Sequence, residues 1–399
     1  MGKDKYKDKL AIIGTGEVPT GWFPERAALD AVTDVCIQAI TDAGIDKNEI
    51  GAVVIVPPLG AEWLEYHLTF GRLVEALGLR GCNFTMQACA GGSSTMSALQ
   101  TARGLINSGA AKNVLVAHTQ KWSALTTEDM IRFFQENAGQ YEEWEFCYGM
   151  TYNAMVAMVA QRYMYETGTT AEQIAAVCVS LRKWAELNPN ARFRKPMTIE
   201  DVMNSRMVTP PLRQLMCNVL CDGASAFIVS GAERAKDISD KPVYVLGEGH
   251  GGATHFSLIQ KPDKDFTRFG FDRAGKKALE EAGITLKDVD IAEIYMAYPH
   301  FHLMVLEELG FCKRGEAGAF VMEGHTWPGG DLPLTTTGDA MSQGHTGTGV
   351  GMAIFVESVR QLKGQCGERQ VKDAKFVLES CSGGAYVDSH VTILGKEIP

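Results

Sequence analysis

Four residues, far apart along the chain, carry groups able to react with or polarise a carbonyl. Cys89 sits in Gln87-Ala-Cys-Ala-Gly-Gly92, and a helical pattern then runs to about Ile106. A thiol beside a helix N-terminus faces unpaired backbone N–H groups and the positive end of the helix dipole, both of which favour a nucleophilic thiolate. Glycines beside it let a substrate approach. A cysteine packed into a tight helix start accounts for the same residues. His345 lies in Gly344-His-Thr-Gly347-Thr-Gly349-Val-Gly351, before the helical stretch Met352–Leu362. That run lacks the Lys-Ser/Thr ending of a P-loop and does not directly follow a strand, as a dinucleotide fingerprint does. A histidine with a purely structural place in the turn is the other reading. Cys381 follows the strand Phe376–Leu378, at a strand end where α/β active sites collect. Tyr295 closes the strand that starts at Ile291, where a core tyrosine with a satisfied hydroxyl is equally at home.

These residues are positioned by elements that occur twice. Leu10-Ala-Ile-Ile-Gly14-Thr-Gly16 has a counterpart in Tyr244-Val-Leu-Gly247-Glu-Gly249. Each is followed by an amphipathic segment that stops at a glycine, Gly44 or Gly283, and then by a strand, Ala52–Val56 or Ile291–Tyr295. Glycine just past a periodic stretch ends a helix, because it takes positive φ without a Cβ clash. Further along, Ala111–Val116 matches Ala374–Leu378, and Ala224–Val229 matches Asp388–Ile393. Strands alternating with helices predict an α/β fold with a largely parallel sheet in each half. The halves are expected at 1–240 and 241–399, packed about a pseudo-two-fold axis. A long insertion at about 120–215 in the first half contains a helix predicted over Thr151–Thr167. Insertions of this length commonly cover a site.

Bulk properties narrow the function classes. The chain has 399 residues, a formal charge of −10 and 22% charged residues, which suits a globular protein and argues against a nucleic-acid binder. The basic run Arg192, Arg194, Lys195 reads as a solvated loop. No apolar run approaches the length of a membrane span, and the polar N-terminus gives no signal peptide, so a cytoplasmic location is expected. The ten cysteines show neither paired spacing nor nearby histidine ligand sets. They predict no disulfide framework and no metal site.

In combination and order, the four motifs resemble those of the thiolase superfamily, over nearly the whole chain. A nucleophile motif matches Cys89-Ala-Gly-Gly92. A second motif, usually led by Asn or His, falls at Glu293-Ile-Tyr295-Met-Ala297-Tyr298, with Tyr295 at the usual His and Ala297 where a catalytic Cys often stands. A Gly-His-Pro motif appears as Gly344-His345-Thr346, and a final Cys-x-Gly motif as Cys381-Ser-Gly383. The segments Tyr163–Ile174 and Cys221-Asp-Gly-Ala224 look like the sterol-carrier-protein type. The resemblance implies duplicated α/β halves in five layers, α-β-α-β-α, with a loop domain inserted in the first.

It also implies the chemistry. Cys89 would attack a 3-oxoacyl-CoA after giving its proton to His345, and Cys381 would protonate the departing enolate and then deprotonate incoming coenzyme A. The backbone N–H groups of Cys89 and Gly383 would hold one oxyanion, and His345 with Tyr295 the other. Coenzyme A would be a co-substrate, with no permanently bound cofactor. Members with a tyrosine in the second motif resemble subunits that work with a small zinc-finger/OB-fold partner on a homodimer core. One candidate substrate is aromatic, such as 2-benzoylsuccinyl-CoA giving benzoyl-CoA and succinyl-CoA; Trp122, Trp144, Phe146 and Tyr148 of the insertion would suit it, and would equally suit a plain hydrophobic core. Three alternatives stand beside this: a retro-aldolase acting on a 3-hydroxyacyl-CoA side chain, a non-catalytic scaffold of an acyl-CoA complex, and an acyl-carrier-type condensing enzyme.

Overall fold

The structure, a computed structural model, describes residues 5–58, 71–137, 146–252, 266–384 and 386–399. The first half runs β1 (Leu10–Glu17), α1 (Ala28–Ala43), β2 (Ile50–Val56), β3 (Phe84–Gln87), α2 (Ser94–Asn107) and β4 (Asn113–Gln120). Then come α3 (Thr127–Asn137), α4 (Tyr152–Thr167), α5 (Ala171–Leu187), the small hairpin β5 (Met207–Thr209) and β6 (Leu212–Arg213), and β7 (Gly223–Gly231). The second half runs β8 (Val243–His250), α6 (Phe271–Ala282), β9 (Ile291–Ile294), α7 (Pro299–Leu309), α8 (Val350–Lys363), β10 (Phe376–Gly383) and β11 (Asp388–Gly395).

The large strands lie in the order β3-β2-β4-β7-β1-β8-β11-β10-β9. The two halves meet where β1 and β8 pair antiparallel, Leu10 opposite Val245 and Ile12 opposite Val243. Outward from that seam the halves repeat: β1, β7, β4, β2 correspond to β8, β11, β10, β9. At the far edge, β3 beside β2 is echoed by a single parallel bridge from Leu334 to Ala292. The sheet is less parallel than the sequence suggests. The pairs β2–β3, β2–β4 and β9–β10 are parallel, whereas β7 and β11 run antiparallel to both neighbours. The short link from Gly383 to Asp388 explains this for β11, since a tight turn can only join antiparallel strands.

Both faces of the sheet are covered, so strand residues alternate between two apolar clusters rather than between core and water. Ala11, Val53, Leu115, Ile228, Leu246 and Ile393 point to the outer helices. Leu10, Val54, Val116, Phe227, Val245 and Val377 point to a central layer with Met96 and Leu99 of α2 and Ile354, Phe355 and Val359 of α8. The result is a five-layered α-β-α-β-α arrangement. The doubled Gly-x-Gly sets how closely the outer helices approach. A Cβ on Gly16 would lie 1.9 Å from the Val35 carbonyl oxygen of α1, and one on Gly249 would lie 1.8 Å from that of Ala274 in α6. Backbone rests on backbone at both places.

The segment between β4 and β7 crosses to the second half. Thr151 caps α4 by accepting from the Ala154 N–H at 3.2 Å, so the predicted helix begins one residue later than expected. Tyr163 of α4 donates to Glu307 of α7 at 2.6 Å. Among the described residues no helix is long and apolar enough to cross a membrane.

One core carboxyl has a measurable consequence. Glu379 of β10 is fully buried beside Glu293 of β9, and neither of its oxygens has a hydrogen-bond partner. Burial, with the adjacent Glu293, pushes its pKa well above the ordinary carboxylate range. The folded state therefore keeps a proton that the unfolded chain releases, and stability falls as pH rises above the unfolded value, by about 1.4 kcal/mol per pH unit while Glu379 stays protonated. Glu379→Gln is expected to be more stable than the parent at pH 8, with the gap closing towards pH 5 in denaturant titrations. A pH-independent gap would refute this assignment.

Candidate active site

The site forms where four turns from the two halves meet. Cys89 is exposed and stands ahead of α2, separated from its first residue by the turn Ala90–Ser93. That turn holds itself: the Ala90 N–H donates to Ser94 Oγ at 2.9 Å, Ser94 Oγ to the Gly91 carbonyl at 2.6 Å, and Ser93 Oγ approaches the Ala90 carbonyl at 2.8 Å. Ser93 Oγ also lies 2.6 Å from Asp388 Oδ2 at the start of β11. The turn is sealed against the end of β10. Gly91 has φ +60, and a Cβ there would lie 2.8 Å from the Gly384 nitrogen; one on Gly383 would lie 1.8 Å from the Ala90 oxygen. Only glycine allows this contact between the first and last motifs.

Tyr295 follows β9, its N–H donating to the Ser380 carbonyl at 2.8 Å. Its hydroxyl lies 3.0 Å from Nε2 of His345. The backbone of His345 is clamped by three contacts: its N–H donates to Val219 at 2.6 Å, and its carbonyl accepts from Cys221 N–H and from Trp122 Nε1, each at 3.1 Å. The Cys221-Asp-Gly-Ala segment thus has a concrete role. It fixes the histidine loop, while Asp222 accepts from the N–H groups of Phe23 and Ser123 at 3.0 and 2.9 Å.

The Gly347 N–H donates to Nδ1 of His345 at 3.2 Å. A neutral ring with Nδ1 occupied as an acceptor carries its proton on Nε2. Burial lowers the pKa of His345 to about 4, so the ring is neutral at physiological pH. Burial, with Tyr152, Asp339 and Cys381 nearby, raises Tyr295 well above its ordinary value and keeps its hydroxyl protonated. The pair is therefore two uncharged donors at the wall of a cavity, the state suited to an oxyanion.

That cavity measures about 250 Å³. Cys89, Gly91 and Gly92 line it from the first motif, Tyr295 and Ala297 from the second, His345, Gly347 and Thr348 from the third, and Ser382, Gly383 and Gly384 from the fourth. Phe134 of α3 and Tyr152 of α4 close it from the insertion, and Tyr386 from the turn after β10. Cys89, His345, Tyr295 and Gly383 are thus brought together.

Cys381 is not on that wall. Its side chain is fully buried in the central layer, and its thiol is held well above the ordinary range by burial and by Glu379 and Asp388. Of the aromatic residues singled out in the insertion, Trp122 is buried behind His345 and Tyr148 is exposed. Trp144 lies outside the described residues, as does the side chain of Phe146. The aromatics that do face the cavity include Phe134, whose ring centroid lies 5.3 Å from that of His345, and Tyr386. Tyr386 adopts φ +66, uncommon for a bulky residue, and its ring stacks on Phe301 with centroids 3.7 Å apart. Its only trace in the sequence is a tyrosine two residues after Gly383-Gly384.

Comparison with known proteins agrees with this fold. Residues 251–396 match the "Thiolase C-terminal domain-like" family model. An acetyl-CoA acetyltransferase of Methanothermobacter thermautotrophicus is 31% identical over 97% of this chain and 99% of its own. Benzoylsuccinyl-CoA thiolase subunit BbsB of Thauera aromatica is 36% identical over 60% of this chain and 62% of its own. Sterol carrier protein 2 of Oryctolagus cuniculus is 30% identical over 56% of this chain and 42% of its own. The solved "Ltp2-ChsH2(DUF35) aldolase" superposes with a TM-score of 0.84 at 27% identity, covering 98% of both chains. The chain belongs to the thiolase superfamily, among relatives that include both acyltransferases and aldolases.

Proposed function

We propose that this protein is a thiolase that cleaves or forms a 3-oxoacyl-CoA with coenzyme A through an acyl-enzyme on Cys89. The observation that carries the reading is the placement of an exposed thiol at the mouth of a cavity whose wall carries the paired donors His345 and Tyr295. Cys89 attacks the 3-oxo carbon, and the bond to the α-carbon breaks. The oxygen on the attacked carbon is held by the backbone N–H groups of Cys89 and Gly383, and the enolate oxygen of the departing thioester by His345 and Tyr295. Coenzyme A then attacks the Cys89 thioester; its thiol proton restores the group that protonated the α-carbon, and Cys89 leaves as thiolate while the acyl group departs as a new thioester. Because Nε2 of His345 already bears a proton, its first role is as a donor. The exposed Cys89 thiol can give its proton to water.

The cavity suits an acyl group, and the remainder of a coenzyme A ester would lie outside it. Its aromatic lining, Phe134, Tyr152 and Tyr386, together with the likeness to the BbsB subunit, supports an aromatic acyl group such as the benzoyl of 2-benzoylsuccinyl-CoA. The test is incubation with a panel of 3-oxoacyl-CoA esters and free coenzyme A, followed by peptide mass spectrometry. Acyl mass on Cys89 supports the reading. Turnover without any such adduct, or an adduct on another residue, rejects it.

A proton must reach the departing α-carbon. Tyr386 lines the cavity and Cys381 does not, so the geometry supports the tyrosine. General acid–base groups contribute about 10²–10⁴ in rate. Cys381→Ala is accordingly expected to keep thiolysis within roughly threefold of the parent. A loss of about 10² or more would return the proton transfer to that thiol.

A second reading has its own support. Three tyrosines around the cavity, no second thiol on its wall and the likeness to an aldolase favour retro-aldol cleavage of a 3-hydroxyacyl-CoA. Thiolysis consumes free coenzyme A and retro-aldol cleavage does not, so coenzyme A consumption per turnover separates the two. A homodimer core and a small partner subunit belong to the same proposal. β3 is exposed along its whole length at the edge of the sheet, and an aldolase partner is named in the similar structure. A monomer in light scattering would remove the dimer.

A further inference from the structure

The antiparallel register of β8 and β11 brings together three residues that the linear sequence separates. His250, the last residue of β8, stands directly opposite His390 of β11. Asp388 lies two positions before His390, on the same face of the same strand. Cross-strand partners and i, i+2 neighbours share a face of the sheet, so two imidazoles and a carboxylate must converge. They do: the two rings stack with centroids 4.4 Å apart, Nε2 of His390 lies 3.1 Å from Asp388 Oδ2, and Nε2 of His250 contacts Oδ1. One ligand atom from each of the three lies within 4.8 Å of the others.

We propose that His250, Asp388 and His390 form a binding site for one divalent transition-metal ion of the zinc type. Two imidazole nitrogens and one carboxylate oxygen are a donor set that zinc accepts, with water completing a tetrahedron. Zinc–ligand bonds of 2.0–2.1 Å put ligand atoms roughly 3.4 Å apart, so the nitrogen–oxygen pairs now in hydrogen-bond contact must open slightly to admit the ion between them. The His250 side chain, 51% exposed, can make that movement and leaves the site open to solvent. A second observation points the same way. Ligating carboxylates are usually steadied by an outer hydrogen bond, and Asp388 has one in the Ser93 hydroxyl, at 2.6 Å.

That hydrogen bond also gives the site a consequence. The Ser93 hydroxyl is within reach of both Asp388 Oδ2 and the Ala90 carbonyl next to Cys89, and its one proton goes to one or the other. An ion on Asp388 shares that carboxylate with Ser93, so its occupancy shifts how the hydroxyl divides between its two acceptors and reports on the turn beside Cys89. This consequence rests on the role proposed for Cys89; the metal site does not.

The test uses the whole protein and Co²⁺, whose visible absorption reports its coordination. Equilibrium dialysis is expected to retain one Co²⁺ per chain with a tetrahedral spectrum, displaced by Zn²⁺. His250→Ala and His390→Ala are each expected to weaken retention by more than roughly 100-fold, since losing a ligand costs at least as much as losing its outer partner. Cys89→Ser is expected to bind as the parent does. No retained ion, equal affinity in His250→Ala, or loss of binding in Cys89→Ser would each overturn the site. His250→Ala alone decides the matter if the more buried His390 variant does not fold. In a separate arm, Co²⁺ is expected to change the iodoacetamide labelling rate of Cys89 in the parent but not in His250→Ala. An unchanged rate in the parent, with the ion bound, would overturn the coupling to the nucleophile turn while leaving the site standing.

Discussion

Cys89→Ser is expected to abolish the covalent acyl-enzyme and to lower thiolysis on the order of 10⁴–10⁶-fold, the scale on which loss of a nucleophile acts. The reason is chemical rather than structural. Cys89 is exposed, and the hydrogen bonds described for its turn are made by Ala90, Gly91, Ser93 and Ser94, none of which the substitution touches. The thermal midpoint should therefore stay close to that of the parent. Serine keeps the shape but not the acidity, and His345 is not poised to act as its base, because Nε2 already carries the ring proton. Mass spectrometry after mixing with a 3-oxoacyl-CoA reads the first effect, and release of product thioester reads the second. If the variant turned over such esters at the parent's rate, the sulfur would have no covalent role.

Tyr295→Phe should act on a different step. Removing one donor from an oxyanion site typically costs about 10²–10³ in kcat, and the loss should appear there more than in KM because the donor matters most once charge has developed. The ring itself remains in the central layer, so the fold should survive. Nε2 of His345 would lose its protein partner, at a stability cost of about 1–3 kcal/mol. Steady-state kinetics with one 3-oxoacyl-CoA and saturating coenzyme A provide the measurement. An unchanged kcat would make Tyr295 a packing residue with an incidental hydrogen bond.

Some of this architecture could be read before any coordinates. The Gly-x-Gly pairs at 14–16 and 247–249 marked the duplicated strand–helix contacts, because a backbone-on-backbone approach leaves no alternative residue there. The motifs around Cys89, Tyr295, His345 and Gly383 pointed to groups that do line one cavity. What stayed hidden depended on strand length and register. Cys381 is not a strand end, because β10 continues to Gly383 and alternation buries its side chain in the central layer that also holds the Tyr295 ring. The neighbouring Ser382 meets the cavity instead. Tyr386 and Phe134 carry no motif of their own; backbone curvature and a helix in the insertion bring them to the wall. His250 and His390 are 140 positions apart in the sequence, and only the β8–β11 register pairs them.

The seal between Gly91 and Gly384 sets the order in which competence appears. A ribosome releases Cys89 long before it releases Gly383, and until then the Cys89 turn lacks the backbone that seals it. A prematurely terminated chain would carry the Cys89 sulfur without the cavity that both halves build around it. Co-expressing the two halves as separate polypeptides should restore turnover only where they reassemble.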